Sequence, residues 1–251
     1  MPLGDALEAA LVVAFWRHKR RYGARRLVSE LADEGYVVGR RKVRSLMLKN
    51  ALVAIQPKSF VPKTTQPNDG LVRSPNLLID RDKVLRCNEV WVGDITYLPL
   101  ANGDWAYLST WLDLYSRHIV GWDVQAHMKE DLVLTSFEKA VSKRSPSKGL
   151  IIHSDGGGQY KSAKFRKRLN NYGYLQSMTR KDNHYDNAHA ESLFSRLKAE
   201  LLEDGVFLNV EEARMECFDY VECYYNPIRR HSALGNISPL QFEEKCQKFT
   251  D

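Results

Sequence analysis

At 251 residues, 43% of them hydrophobic, the chain is long enough to form one sizeable globular domain and a small companion. Its 37 Lys and Arg against 31 Asp and Glu leave a net charge of +6, which favours a polyanionic partner. Cys87, Cys217, Cys223 and Cys246 are scattered without a CxxC pair, which argues against a zinc knuckle or a disulfide framework and points to reduced thiols in a cytoplasmic protein. The apolar run from Ala9 to Phe15 is too short to span a bilayer and has no small-residue cleavage pattern after it, so nothing directs the chain to a membrane or out of the cell.

The first predicted element is a helix over Asp5–Arg20, with Leu7, Leu11 and Val12 on one side and a basic cluster at its C-terminal end, where positive charge suits the helix dipole. Two short helical patterns follow. Arg25–Ala32 carries Leu27 and Leu31, and Asp33, Glu34 and Gly35 make a turn. Arg40–Lys49 then turns Val43, Leu46 and Met47 inward and Arg41, Arg44, Ser45 and Lys49 outward. Two short helices, a Gly-containing turn and a basic second helix are the sequence form of a helix-turn-helix, whose second helix enters the major groove. From Arg17 to Lys58, twelve basic residues face three acidic ones, so the electrostatic footprint falls in this quarter of the chain. A solvated basic surface is the alternative.

From Gln56 to Asn88 periodicity fades, and Pro57, Pro62, Pro67 and Pro75 interrupt any regular element, which reads as a linker. Strands are predicted over Glu89–Leu100, Trp105–Leu114 and Arg117–Val124, an antiparallel meander with its first turn at Asn102-Gly103. A helix over Lys129–Val141, a short buried strand over Leu150–His153, a helix over Ser162–Asn171 and a strand over Tyr174–Ser177 continue a mixed α/β order. Helices over Ala188–Leu202 and Asn209–Tyr225 complete it, and Pro227 stops the second.

Three acids stand out, with sixty residues between the first two and thirty-five between the last two. Asp94, in WVGDITYL, lies within an apolar strand, where a charge is costly unless it is paired or binds a metal; an outward-facing position is the alternative. Asp155, in HSDGGGQY, follows a strand that runs into a glycine-rich turn, where ligands commonly gather and backbone can approach a phosphate or metal closely. A plain surface turn has similar composition. Glu191 falls in the first turn of a helix, where capping is its simplest role. Glu191, Ser195 and Lys198 share a helical face, however, while Phe194, Leu197 and Leu201 pack inward. Carboxylates brought together this way bind a pair of hard Mg²⁺ ions roughly 3.5 to 4 Å apart, a device for cleaving and joining nucleic acid strands. His153, His184, His189 and His231 match no common zinc spacing, and His184 is the one best placed to touch substrate. In RRHSALG, Arg229, Arg230 and His231 either grip DNA phosphates or decorate a surface loop. Tyr220, Tyr224 and Tyr225 read as core and rim packing.

WVGDITYL, WLDLYSRHIVGW, HSDGGGQY, SMTRKDNHYDNAHAESLFSRLKAE and YYNPIRRHSALGNISP, in this order over nearly the whole chain, together resemble bacterial insertion-sequence transposases of the OrfB type. The interval before Glu191 and the lysine seven residues after it resemble the DDE signature shared with retroviral integrases. The resemblance implies a ribonuclease H-like α/β core, a mixed sheet flanked by helices, preceded by a small all-α helix-turn-helix domain. The implied organisation is a helix-turn-helix domain over 1–55, a linker over 56–88, a catalytic core over 89–205 and a C-terminal helical extension over 206–251 that packs on the core. It implies Asp94, Asp155 and Glu191 as catalytic ligands of two Mg²⁺ or Mn²⁺, water and then a 3′-hydroxyl as nucleophiles, and no covalent protein intermediate. Lys198 is similar to the family's DNA-contacting lysine, and Arg180, Lys181, Asn183 and His184 are expected near the same strand. The implied partners are double-stranded DNA at element ends and target, further copies of the chain assembled on DNA, and the product of an upstream overlapping reading frame, which usually supplies an oligomerising zipper that is not found here. The expected location is the bacterial nucleoid. Asp182 stands where family members often have Gly and places a negative charge beside Asn183. A DNA-binding regulator without catalysis and a nuclease acting on RNA–DNA hybrids are the competing readings; the three acids argue against the first and the helix-turn-helix against the second.

Overall fold

A computed structural model describes residues 3–57, 72–79, 81, 83–180, 188–203 and 205–248. Its centre is a five-stranded sheet of β1 (Val90–Pro99), β2 (Trp105–Asp113), β3 (Ile119–Gln125), β4 (Ile151–Ser154) and β5 (Leu175–Met178), in the spatial order β3-β2-β1-β4-β5. The first three strands pair antiparallel, as their short connections require, while β4 and β5 run parallel to β1. At the β1–β2 turn Gly103 takes a φ of +87°, and Asn102 Oδ1 accepts the Asp104 N–H at 3.0 Å.

Helices cover both faces. On one, α4 (Glu130–Arg144), α6 (Ala163–Tyr172) and the single turn α5 (Gly158–Lys161) enclose a core of Trp91, Trp111, Phe137, Ile152, Tyr160, Phe165 and Met178. On the other, α7 (Ala188–Leu202) and α8 (Val210–Phe218) pack Leu193, Phe194, Leu197, Ala213 and Cys217 on Leu98, Leu108 and Leu112. Strand alternation sorts the two sets: Trp91 faces one layer, while Val90, Val92, Leu98 and Leu100 face the other. The long helix expected over Asn209–Tyr225 is α8 followed by wide π-helical turns over Asp219–Tyr225, which end where the Asn226 N–H reaches Val221 O at 3.1 Å. Helix α9 (Pro239–Lys248) closes the chain.

The N-terminal unit has its own core. Helices α1 (Leu3–Arg17), α2 (Ala24–Asp33) and α3 (Arg40–Lys49) bury Leu11, Phe15, Leu27, Leu31, Val43, Leu46 and Met47 together. Gly35, at φ +89°, lets the chain leave α2. Among the described residues no helix is long and apolar enough to cross a membrane.

One half of the expected linker behaves differently from a linker. Residues 72–79 run along the outer edge of β5: Ser74 Oγ lies 2.6 Å from Gln176 Oε1, the Leu77 N–H donates to Ser177 Oγ at 2.9 Å, and the Met178 N–H to Pro75 O at 3.3 Å. This strap covers an edge strand that would otherwise present unpaired backbone groups.

Candidate active site

The site is built on the two central parallel strands. Trp91 is paired with Ile152, Val92 with His153 and Gly93 with Ser154, so Asp94 and Asp155 are the next residues along two backbones that run roughly 4.8 Å apart. Gly93 has no side chain because a Cβ there would overlap the ring of Trp111, its partner across β2. Val90, Val92 and Ile151 pack against Ala190 of α7, which lays that helix beside the acid-bearing strands.

Burial raises the Asp155 carboxyl above its ordinary range, opposed by the Gly157 N–H that donates to Oδ1 at 2.9 Å and by the charges of Arg73 and Lys161. Asp94 Oδ1 accepts the Ile95 N–H at 2.7 Å. Tyr160, 1% exposed, is pushed well above the ordinary phenol pKa by burial and then by the charges of both Asp94 and Asp155, so it lies close to the pair. Burial lowers the Lys198 ammonium, and the opposing attraction of Asp94 places that lysine at the same site.

Thus Asp94, Asp155 and Lys198 come together. Glu191 is exposed in the first turn of α7, one residue from Ala190, and among the described residues no three His, Cys, Asp or Glu side chains are gathered closely enough to hold a metal ion. His153 is buried beneath the pair in register, with Nδ1 2.8 Å from Ser177 Oγ. Arg41, Arg44 and Ser45 are exposed on α3, and Lys49 is exposed with Nζ 2.7 Å from Glu8 Oε2. Arg180 is exposed just beyond β5, whereas Lys181, Asp182, Asn183 and His184 lie outside the described residues.

Residues 85–184 match the family model of an integrase core domain, residues 191–246 a second integrase core domain model, and residues 2–60 an HTH-like domain. A transposase for insertion sequence element IS904 of Lactococcus lactis is 38% identical over 240 residues, covering 96% of this chain and 94% of that protein. The chain belongs to the insertion-sequence transposases. Transposase InsF for IS3A of Escherichia coli is likewise 38% identical, over 95% of this chain and 82% of its own. At the level of fold, a chain of the simian T-cell lymphotropic virus intasome solved in complex with PP2A regulatory subunit B56 gamma superposes with a TM-score of 0.54 at 16% identity, covering 93% of this transposase and 74% of that chain. The transposase is therefore a DDE-type polynucleotidyl transferase acting on DNA, with an integrase-like core and an N-terminal HTH-like domain.

One expectation is corrected. Arg229 and Arg230 of the transposase do not stand on a free surface loop, because both are held within the fold by ion pairs. Arg229 is 3% exposed, and its Nε and Nη2 donate to Glu200 Oε2 and Oε1 at 2.8 and 2.6 Å. Arg230 pairs with Glu30 at 2.8 Å and with Asp33, tying the C-terminal segment to α2. Burial, then the charges of Arg229, Arg26 and Arg117, press the His231 pKa down to about 2, so it is neutral and offers a phosphate no charge. Sequence reasoning also missed Arg73, Tyr160 and Lys161 around Asp155. Tyr160 ends the HSDGGGQY motif and Lys161 follows it directly, whereas Arg73 carries no local signal.

Proposed function

We propose that Asp94, Asp155 and Glu191 are the catalytic carboxylates and hold two Mg²⁺ or Mn²⁺ ions for nicking of insertion-element ends and their joining to target DNA. The observation that carries this reading is the register pairing that sets Asp94 beside Asp155, with Lys198 of the neighbouring helix drawn to Asp94. The donor set fits the cations: it offers carboxylate oxygens, and burial of Asp155 leaves a negative charge that a hard cation compensates. When bound, such a pair activates the attacking oxygen and stabilises the leaving one. Glu191 is assigned as the third ligand from its place on α7, next to the Ala190 that touches both strands.

In this scheme the protein positions and the nucleophile comes from outside it. Water attacks a phosphodiester at the element end, and the 3′-hydroxyl released attacks a target phosphate. Lys198 orients the DNA strand beside Asp94, Arg180 through His184 extend that contact, and α3 reads the end sequence with Arg41, Arg44, Ser45 and Lys49 in the major groove. Joining two ends needs two copies assembled on DNA. The test is Mg²⁺- or Mn²⁺-dependent nicking and joining of oligonucleotides that carry the ends flanking the gene. Asp94→Asn, Asp155→Asn and Glu191→Gln are each expected to abolish both steps; full activity of Glu191→Gln beside an active wild type removes Glu191 from the site.

A further inference from the structure

The glycine that follows Asp155 is not an open cradle. A side chain at Gly156 would overlap the guanidinium of Arg73, so the close approach this turn permits is used by a cation of the chain itself. Arg73 is anchored from behind, its Nη1 donating to Thr179 O at 3.0 Å, and the strap that carries it is bonded to β5 at Gln176, Ser177 and Met178. Its charge acts on Asp155, as does that of Lys161. Lys161 is 7% exposed, whereas Arg73 is exposed, so Arg73 is the one of these two cations that a macromolecular ligand reaches.

Fixing a guanidinium beside a carboxylate that binds divalent cations is unfavourable unless an anion comes between them. The reaction supplies such an anion in the DNA backbone. A guanidinium presents five donors in a planar fork that matches phosphate oxygens, and the bond to Thr179 O occupies a single donor. We propose that Arg73 is a phosphate ligand of the reacting DNA strand, held by the strap at the Asp155 end of the active site. This assignment rests on Asp155 being a catalytic carboxylate, and it gives the segment between the DNA-reading helices and the sheet a direct part in substrate binding.

The test is single-turnover strand joining with the full chain, Mn²⁺ and pre-nicked element ends. Phosphates flanking the reacting 3′ end are replaced one at a time by uncharged methylphosphonates. Losing one charge-assisted contact is expected to slow Arg73→Ala by about ten- to a hundredfold. Arg73→Lys recovers part of the rate, and both variants melt with wild type. One methylphosphonate position slows wild type yet adds nothing to Arg73→Ala, the non-additivity of a shared contact. The proposal is overturned if Arg73→Ala joins at the wild-type rate, or if its defect multiplies with that of every methylphosphonate. Faster joining, or saturation at lower Mn²⁺, overturns it as well and makes Arg73 an internal counter-ion that holds metal away. Asp155→Asn in the same assay separates the two readings: its inactivity leaves the catalytic assignment intact whatever Arg73 does, and its activity sinks that assignment first.

Discussion

Replacing Arg229 by Met separates an interface role from a DNA-binding one. The substitution keeps the length of the side chain and removes both hydrogen bonds to Glu200, in a pair whose side chains are 3% and 4% exposed. Breaking a buried pair from one side costs about 3–5 kcal/mol, because the remaining charge stays desolvated. Here Tyr220 Oη still donates to Glu200 Oε2 at 2.9 Å, and Arg26 still acts on the same carboxylate, so the lower end, about 3 kcal/mol, applies. For a chain of this size that lowers the melting temperature by about 6–12 °C. The double variant Arg229→Met, Glu200→Met removes the orphaned charge and is expected to recover most of the loss. Calorimetry of wild type, Arg229→Met, Glu200→Met and the double variant gives the coupling, and titration of element-end duplexes over a salt series gives the phosphate contacts. Arg229→Met melting with wild type, while its salt slope falls by about one contact, would refute the buried assignment.

Gly93→Ala forces a methyl group into the ring of Trp111 and is expected to cost about 1–3 kcal/mol; because β1 must shift next to Asp94, joining falls further than stability does. Wild-type melting and joining in that variant would show that Gly93 is not set by Trp111. For pH, the folded-state pKa of His231 lies below its ordinary 6.5, at about 2, so the unfolded chain takes up the proton first. Its contribution is complete above about pH 6.5 and is lost as pH falls below that value. Glu30, lowered from 4.5 to about 2 by its hydrogen bond to His18 and then Arg230 against burial, adds a second limb that begins lower, near 4.5. Melting temperature measured from about pH 7 to 5 is therefore expected to slope in wild type and to flatten in His231→Asn; an unchanged slope contradicts a neutral His231.

Those residues also mark where reading the sequence stopped. The strands, the outward face of α3 and the two aspartates follow from periodicity of two or 3.6 and from two motifs of eight residues each, all local signals. Arg229 and Arg230 look like loop cations because their partners lie 29 and 200 residues back along the chain. The strap shows no periodicity because it is held by hydrogen bonds to residues about a hundred positions away, with one proline, Pro75, that suits an edge. Asp219–Tyr225 keeps helical apolar spacing while its backbone widens, and spacing alone does not separate i→i−4 from i→i−5 bonding. At Gly156 composition signalled a close approach without saying what approaches.

Helix α7 explains why so much charge is spent away from DNA. It carries Glu191 near its first end and both Lys198 and Glu200 near its last, with Glu200 about 14 Å from Glu191 at 1.5 Å per residue. At Glu200 it receives Arg229 through the side chain and the Arg21 Nε–H through the backbone carbonyl at 3.2 Å, while Arg21 also lies over the Tyr224 ring at 4.6 Å. Tyr22 donates to Ile228 O and accepts the Arg230 N–H at 2.8 Å, and Arg230 reaches back to Glu30. The corner between α1 and α2 is thus seated on the C-terminal half of α7. A buried ion pair adds little net stability over an apolar contact of the same shape, and the half-exposed Arg230–Asp33 contact adds less. What directional bonds do set is orientation: an apolar seat tolerates rotation, whereas a bidentate guanidinium does not. A transposase built from an HTH-like domain and an integrase-like core needs the angle between them held, and here it is held through the helix that carries Glu191.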